Sequence, residues 1–182
     1  TLTHTHTHTH TLSLSVFLSI SSLSCLTMKV QVYLYDLSQG MMASLSPALL
    51  GRQLDAIWHT SVVAFGNEYF FGGGIQKAAP GATAAGRPVE VVDLGETEIP
   101  QWMFEQYLHG LQDRFNAQTY HLLRNNCNHF SQEAASFLTG NSIPEKVRNL
   151  PNEFLSTYVP LVLPLESVLG LSEAFDLVCR LL

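Results

Sequence analysis

Charge is what this chain has least of. Only 13% of its 182 residues are Asp, Glu, Lys or Arg, and 9 Lys plus Arg against 15 Asp plus Glu give a formal net charge of -6. No basic run occurs, which argues against nucleic acid and anionic membrane as partners. Cysteine is scarce too. Cys25, Cys127 and Cys179 are far apart and odd in number, which speaks against a disulfide framework and for a reducing compartment. No Asn-x-Ser/Thr glycosylation sequence is present. Residues 12–26 are apolar, but serine interrupts them and no Lys or Arg precedes them. They suit neither a signal peptide nor a membrane span. What the chain does have is a hydrophobic content of 46%, enough for one domain with a real core.

Residues 1–27 look unlike folded protein. Thr and His alternate, then Leu and Ser, without one charged side chain. In-frame CA and CT dinucleotide repeats encode these pairs, so the segment reads as a low-complexity, non-native leader, with Met28 the start. Its histidines His4, His6, His8 and His10 resemble an adventitious metal-binding tag.

The remainder alternates between strand and helix patterns. Residues 30–35 alternate as a strand, and residues 36–40 turn. Ser46 and Pro47 suggest a cap and first position of a short helix through Leu54. Residues 57–65 and 68–71 form a hairpin about Gly66-Asn67. Residues 72–74 and 78–88 read as a long small-residue loop. It lacks the following helix and Lys-Ser/Thr pair of a phosphate cradle, so it suits a loop beside a site. Residues 89–94 form a strand. Residues 100–115 form an amphipathic helix with Met103, Phe104, Tyr107, Leu108, Leu111 and Phe115 inward. Residues 119–123 are a candidate fifth strand, and residues 144–150 and 152–156 are short helical pieces.

The most informative stretch runs from Leu123 to Gly140. Phe130, Ala134, Phe137 and Leu138 recur at three-and-four spacing, Gly140 ends the helix, and Asn125 and Asn126 suit its entry. Cys127 then lies at a helix N-terminus, where unpaired N–H groups and the helix dipole favour a thiolate nucleophile. The plainer alternative is a small buried hydrophobe, which is also the simplest reading of Cys179. An activated cysteine needs a base. His129 lies two residues on, about 200° round the helix, and faces away. His109 reads as a surface residue. His121 lies on the approach to Cys127. His59 sits in an apolar strand, either as a core histidine or as the base. Cys127 and His129 offer too few ligands for zinc, and no metal or cofactor is expected.

Several separated blocks occur in an order that resembles the PPPDE family: residues 33–38 (YLYDLS), 57–62 (IWHTSV), 70–72 (FFG), 126–131 (NCNHFS), and Leu138-Thr139-Gly140 with Ile143-Pro144. Within that family the chain is most similar to the type-one desumoylating isopeptidases. The resemblance covers residues 28–158 as a peptidase domain and leaves residues 159–182 as an apolar tail. It implies an α+β, permuted papain-like fold, with a small antiparallel sheet packed with helices. It also implies a Cys-His dyad, mapping onto Cys127 and His59, that removes SUMO from lysine side chains. A homodimer and a cytoplasmic and nuclear location are the further expectations.

Such an enzyme needs oxyanion donors and a narrow groove for a Gly-Gly tail. The Cys127 backbone N–H is one donor. Asn126, Tyr35 and Asp36 are candidates for the second, Trp58 adjoins the base, and Gly72 and Gly73 suit the groove wall because glycine permits close backbone approach. A ubiquitin isopeptidase, a protein S-acyl thioesterase and an inactive papain-like adaptor are the rival readings. The tail, from Leu161 to Leu182, holds too many large apolar residues for a free segment. It suits either a core-completing helix or a partner-binding or export segment.

Overall fold

Alternation in the first strand sets the two faces of the sheet. The computed structural model describes residues 27–51 and 53–149. β1 (Met28–Asp36) is the second strand from one edge of a five-stranded antiparallel sheet. It is joined by β2 (Trp58–Ala64), β3 (Asn67–Phe71), β4 (Ile75–Ala78) and β5 (Glu90–Thr97), in the spatial order β4-β3-β2-β1-β5. Side chains alternate along a strand. Val30, Val32 and Leu34 of β1 therefore share a face with Val62 and Ala64 of β2 and with Tyr69 and Phe71 of β3, all of them in one buried apolar cluster. The opposite face carries Tyr35, His59, Ser61, Glu68 and Phe70, also buried.

Helices cover the apolar face. α2 (Gln101–Gly110) and α3 (Cys127–Thr139) meet through Tyr107 and Phe137, whose rings stack with centroids 3.9 Å apart. Phe130, Ala134 and Leu138 of α3 enter the core at the spacing of one helix face. Each large side chain so buried contributes roughly 1.5–3 kcal/mol. Gly140, at φ 73, ends α3 in the left-handed conformation that glycine adopts without a Cβ clash, and its N–H reaches the carbonyl of Ser136.

The structure corrects several expectations. α1 (Met41–Leu50) starts earlier than Ser46 and holds Pro47 in its interior. The start is built from the preceding turn, where Met41 N–H donates to the Ser38 carbonyl and the Ser38 hydroxyl accepts from Met42 N–H. Proline cannot donate to the carbonyl four residues back; the Gln53 side-chain amide donates to that Ala43 carbonyl instead, at 3.1 Å. Ser46 is no cap, for its hydroxyl bonds both the N–H and the carbonyl of Leu54.

The β2–β3 hairpin turns on Phe65 and Gly66, with φ 55 and 70, rather than on Gly66-Asn67. Two central residues at positive φ match the right-handed twist of a two-residue hairpin, and Asn67 steadies the turn by donating to the Phe65 carbonyl. Between the two pieces of the small-residue stretch, and taking in Ala78, lies a strand, β4, which pairs with β3 from Phe71↔Ile75 to Glu68↔Ala78. Its four residues are too few to show alternation.

Residues 119–123 are turns, not a strand, with an isolated bridge between His121 and Asn125. Asn125 takes over the pairing there, donating to the carbonyls of Arg114 and Thr119. α2 stops at Gly110, so Phe115 reaches the core from the following turns, while Met103 is exposed. Of the late helical pieces, α4 (Glu145–Arg148) is present. The expectations for the leader with its histidines, for Cys25, Cys179 and residues 152–156, and for the tail fall outside the described residues. No described helix is long and apolar enough to cross a membrane.

Candidate functional site

The first turn of α3 is built by Asn126. Its backbone is extended, and its Oδ1 accepts from the N–H groups of Asn128 and His129 at 3.0 and 3.2 Å. The His129 ring answers from the third helical position. Its Nδ1 lies 2.8 Å from Asn126 Oδ1 and accepts from the Asn126 N–H at 3.4 Å. This reciprocal cap fixes Cys127 as the first residue of α3 and keeps the His129 imidazole occupied at the cap. Burial and the Arg114 guanidinium hold the His129 imidazole below its ordinary pKa.

The other half of the site is the start of β2. The β2–β3 ladder covers only Val62↔Tyr69, Val63↔Glu68 and Ala64↔Asn67. On the β1 side the pairing continues back to Asp36↔Trp58, and the Ile57 carbonyl accepts from the Leu37 N–H. Carbonyls alternate along a strand, so the Trp58 carbonyl points away from β1, toward the place β3 has left. The first turn of α3 occupies that place. Asn128 donates from Nδ2 to the Trp58 carbonyl at 3.0 Å and accepts the Thr60 hydroxyl at Oδ1, at 2.9 Å. The residue next to Cys127 is thus bonded to both chain neighbours of His59. The Cys127 thiol itself donates to Asn128 Oδ1 at 3.6 Å.

His59 is buried, and neither ring nitrogen has a hydrogen-bond partner. Its ring packs against Tyr35, with centroids 5.8 Å apart, and edge-on to Phe70 at 6.3 Å. Loss of water around the imidazole pushes its pKa down from 6.5 to about 4, so at neutral pH it is an uncharged base. Cys127 is buried as well.

The remaining residues singled out in the sequence lie on several elements. Tyr35 donates its hydroxyl to Glu68 at 2.7 Å, and burial with that carboxylate raises the phenol pKa. The Asp36 carboxylate accepts from Ser38, Gly40 and Ile57 and shapes the turn into α1. Those bonds hold its pKa below the ordinary value against the opposing effect of burial, the largest single influence on it. Asn126 Nδ2 donates to the Leu122 carbonyl. The Tyr35 hydroxyl donor and one of the two Asn126 amide hydrogens are therefore engaged, and the ionised Asp36 carboxylate has none to offer. Trp58 is half-buried, with the Lys146 ammonium 4.9 Å from its ring centroid. Gly72 and Gly73 form the β3–β4 connection with Gly74, which is bridged to Asn116. His109 and His121 are exposed.

Two residues at the site went unremarked in the sequence. Asn128 carried a readable signal, a polar side chain on the buried side of a helix start. Glu68 carried none, since glutamate in a short strand ordinarily faces water. Here it accepts from Tyr35, Ser61 and the Gly81 N–H, and pins the loop at Gly81 over the His59 face.

Comparison with known proteins bears on the family of the chain. Residues 28–166 match the family described as "PPPDE putative peptidase domain". The chain is 49% identical over 130 residues to a human protein named Desumoylating isopeptidase 1, covering 70% of this chain and 77% of that one. It is 47% identical over 130 residues to the Xenopus laevis protein of the same name, with the same coverage. It is 34% identical over 116 residues to a Caenorhabditis elegans protein named Desumoylating isopeptidase 1 homolog, covering 58% of this chain and 34% of that one. A match over most of the chain, with such identity to long relatives, is family membership: the chain belongs to the PPPDE peptidase family.

Proposed function

We propose that this protein is a cysteine isopeptidase that releases a ubiquitin-like modifier, SUMO foremost, from lysine side chains. One observation carries the reading. Cys127, at a capped helix N-terminus, is tied through its neighbour Asn128 to both residues flanking the buried His59, in a chain 49% identical to a protein named Desumoylating isopeptidase 1. A cysteine helix against an antiparallel sheet that presents an earlier histidine supports a permuted papain-like fold.

In this reading His59 takes the Cys127 proton, and the thiolate attacks the carbonyl carbon of the isopeptide bond. The Cys127 N–H, which the Asn126 cap does not use, steadies the oxyanion. His59 then protonates the departing lysine amine, and water hydrolyses the thioester to restore the thiol. Burial disfavours the imidazolium, so the ring starts neutral. The glycine connection begins two residues after Phe70, whose ring packs on His59, which supports a narrow Gly-Gly groove there. The reading extends to a homodimer acting in cytoplasm and nucleus.

Vinyl-sulfone probes of SUMO and ubiquitin test the reading. A SUMO adduct located on Cys127 is expected. Capture of ubiquitin alone would assign the other modifier. Turnover of a fluorogenic acyl thioester with neither probe captured would make the protein a thioesterase. Light scattering checks the dimer, and cell fractionation the location.

A further inference from the structure

One side chain, Asn128, bonds the chain on either side of His59 and also the Cys127 thiol. His59 has no hydrogen bond on its ring, and Cys127 stands on a separate element 68 positions later in the chain. Something has to fix the first turn of α3 against β2 at this point, because the β3 strand that would have closed the sheet there has turned away. We propose that Asn128 is the positioning residue of the site, setting Cys127 against His59 by bonding the chain on both sides of the histidine and the thiol with one amide. This rests on the reading of Cys127 and His59 as a catalytic dyad.

The chemistry of the three partners explains why the residue is asparagine. The Trp58 carbonyl only accepts, so the end facing it is the NH2 group, at 3.0 Å. The oxygen therefore faces Thr60 and Cys127, and takes the hydroxyl at 2.9 Å and the thiol at 3.6 Å. Aspartate has the same shape but no donor for Trp58, and it would place a charge beside the sulfur. Alanine or leucine would leave a buried carbonyl and a buried hydroxyl without partners. Because Trp58 and Thr60 bracket His59, sliding α3 along β2 in either direction breaks one bond or the other. The amide thus sets a register between helix and strand that packing alone, through flat apolar surfaces, does not.

Among the titratable groups on the elements meeting here, His59 lies on β2, Tyr35 on β1, Glu68 on β3 and His129 on α3, and Lys146 of α4 lies over the Trp58 ring. Tyr35 and Glu68 bond each other, and His129 belongs to the cap. A carboxylate at position 128 would be the charge adjoining the sulfur in sequence and in space, and would oppose the thiolate.

The test uses the full chain with four variants, Asn128→Asp, Asn128→Ala, Thr60→Val and Thr60→Ser. Two readouts are taken: turnover of a SUMO-conjugated lysine peptide, and the pH dependence of Cys127 alkylation by iodoacetamide, in which the sulfur displaces iodide. Misplacing reacting atoms by about 1 Å costs on the order of 100-fold. Asn128→Asp should therefore lower kcat by about that factor, with KM within about threefold. Its alkylation profile should move to higher pH. Asn128→Ala should lose kcat without that pH shift. Thr60→Val should lower kcat by roughly tenfold, as one lost hydrogen bond implies, and Thr60→Ser, which keeps the hydroxyl, should restore it. Circular dichroism checks each fold, and if the Asn128 variants do not fold, the Thr60 pair decides. Unchanged kcat and an unchanged alkylation profile in folded Asn128→Asp would overturn the proposal, as would a lower melting temperature with no change in kcat. A wild-type protein inert toward SUMO conjugates, whose alkylation profile still responds to Asn128→Asp, would instead sink the isopeptidase reading and leave the positioning role standing.

Discussion

The two faces of the sheet bury their side chains for different ends. On the helix face, Val30, Val32, Leu34, Val62 and Phe71 meet Phe104, Phe115 and Phe130 in an apolar core. Those side chains need no partner, and their stabilisation scales with the area removed from water. On the other face, Tyr35, His59, Ser61, Glu68 and Phe70 are as deeply buried, but three of the four polar members are satisfied by one another. Glu68 takes two hydroxyl donors from the sheet and one N–H from the loop above it. His59 is the member left unbonded. The comparison shows how a small domain keeps an imidazole dry and uncharged: it packs aromatic rings against it and commits the nearby hydrogen-bonding capacity to other groups.

The largest expected effect lies where the two faces meet. Cys127→Ser and His59→Ala should each lower isopeptide turnover by at least about 1,000-fold, as loss of a nucleophile or its base does, with circular dichroism unchanged. Turnover of Cys127→Ser within about tenfold of wild type would remove the cysteine from the mechanism. If His121→Ala were instead the crippling change, the base would have been assigned to the wrong element.

Next come substitutions that set the faces against each other in stability. Phe130→Ala on the helix face should cost about 3–5 kcal/mol in chemical denaturation, through a cavity. Glu68→Ala on the polar face should cost about 3 kcal/mol, because the Tyr35 and Ser61 hydroxyls and the Gly81 N–H lose their acceptor. A Glu68 variant as stable as wild type would mean that the polar face is solvated and the contrast is false.

Acid should separate the faces as well. The His59 imidazole is held at about 4 in the fold against 6.5 outside it. Above pH 6.5 both states hold it neutral. As the pH falls toward 4, the unfolded chain gains a proton that the folded chain refuses, so stability falls by roughly 3 kcal/mol. A His59→Phe variant should lack that part of the acid sensitivity, measured as the difference in denaturation free energy between pH 7 and pH 4.

The smallest effects concern the histidines outside this face. His129→Ala should cost about 1 kcal/mol by removing half of the reciprocal cap. His109→Ala, on an exposed side chain, should stay within about 0.5 kcal/mol. Both should retain turnover, and thermal melts with a turnover assay distinguish them.

Much of this was legible in the chain itself. Cys127 at a capped helix start, the apolar stripe of α3, the Gly140 stop and the alternation of β1 are local patterns with local causes: capping groups, helical period and pleat. The misreadings were local patterns overruled by distant partners. Ser46 and Pro47 look like a helix start, but Gln53 accepts the burden of the missing proline donor from outside the helix, so the proline sits inside. Residues 119–123 look like a strand, yet Asn125 bonds the Thr119 carbonyl with its side chain and His121 with its backbone, and no described strand lies alongside.

What the sequence determined by itself, then, is which local elements hold Cys127 and His59, because caps, periodicity and residue type act over a few positions. What only the tertiary structure decided is how those groups stand to one another. β3 ends its pairing at Val62, the Trp58 carbonyl is left without a strand, and Asn128 arrives from 70 residues away to take it. A hydrogen bond between distant residues depends on the path of the whole chain, and no short stretch of sequence encodes it.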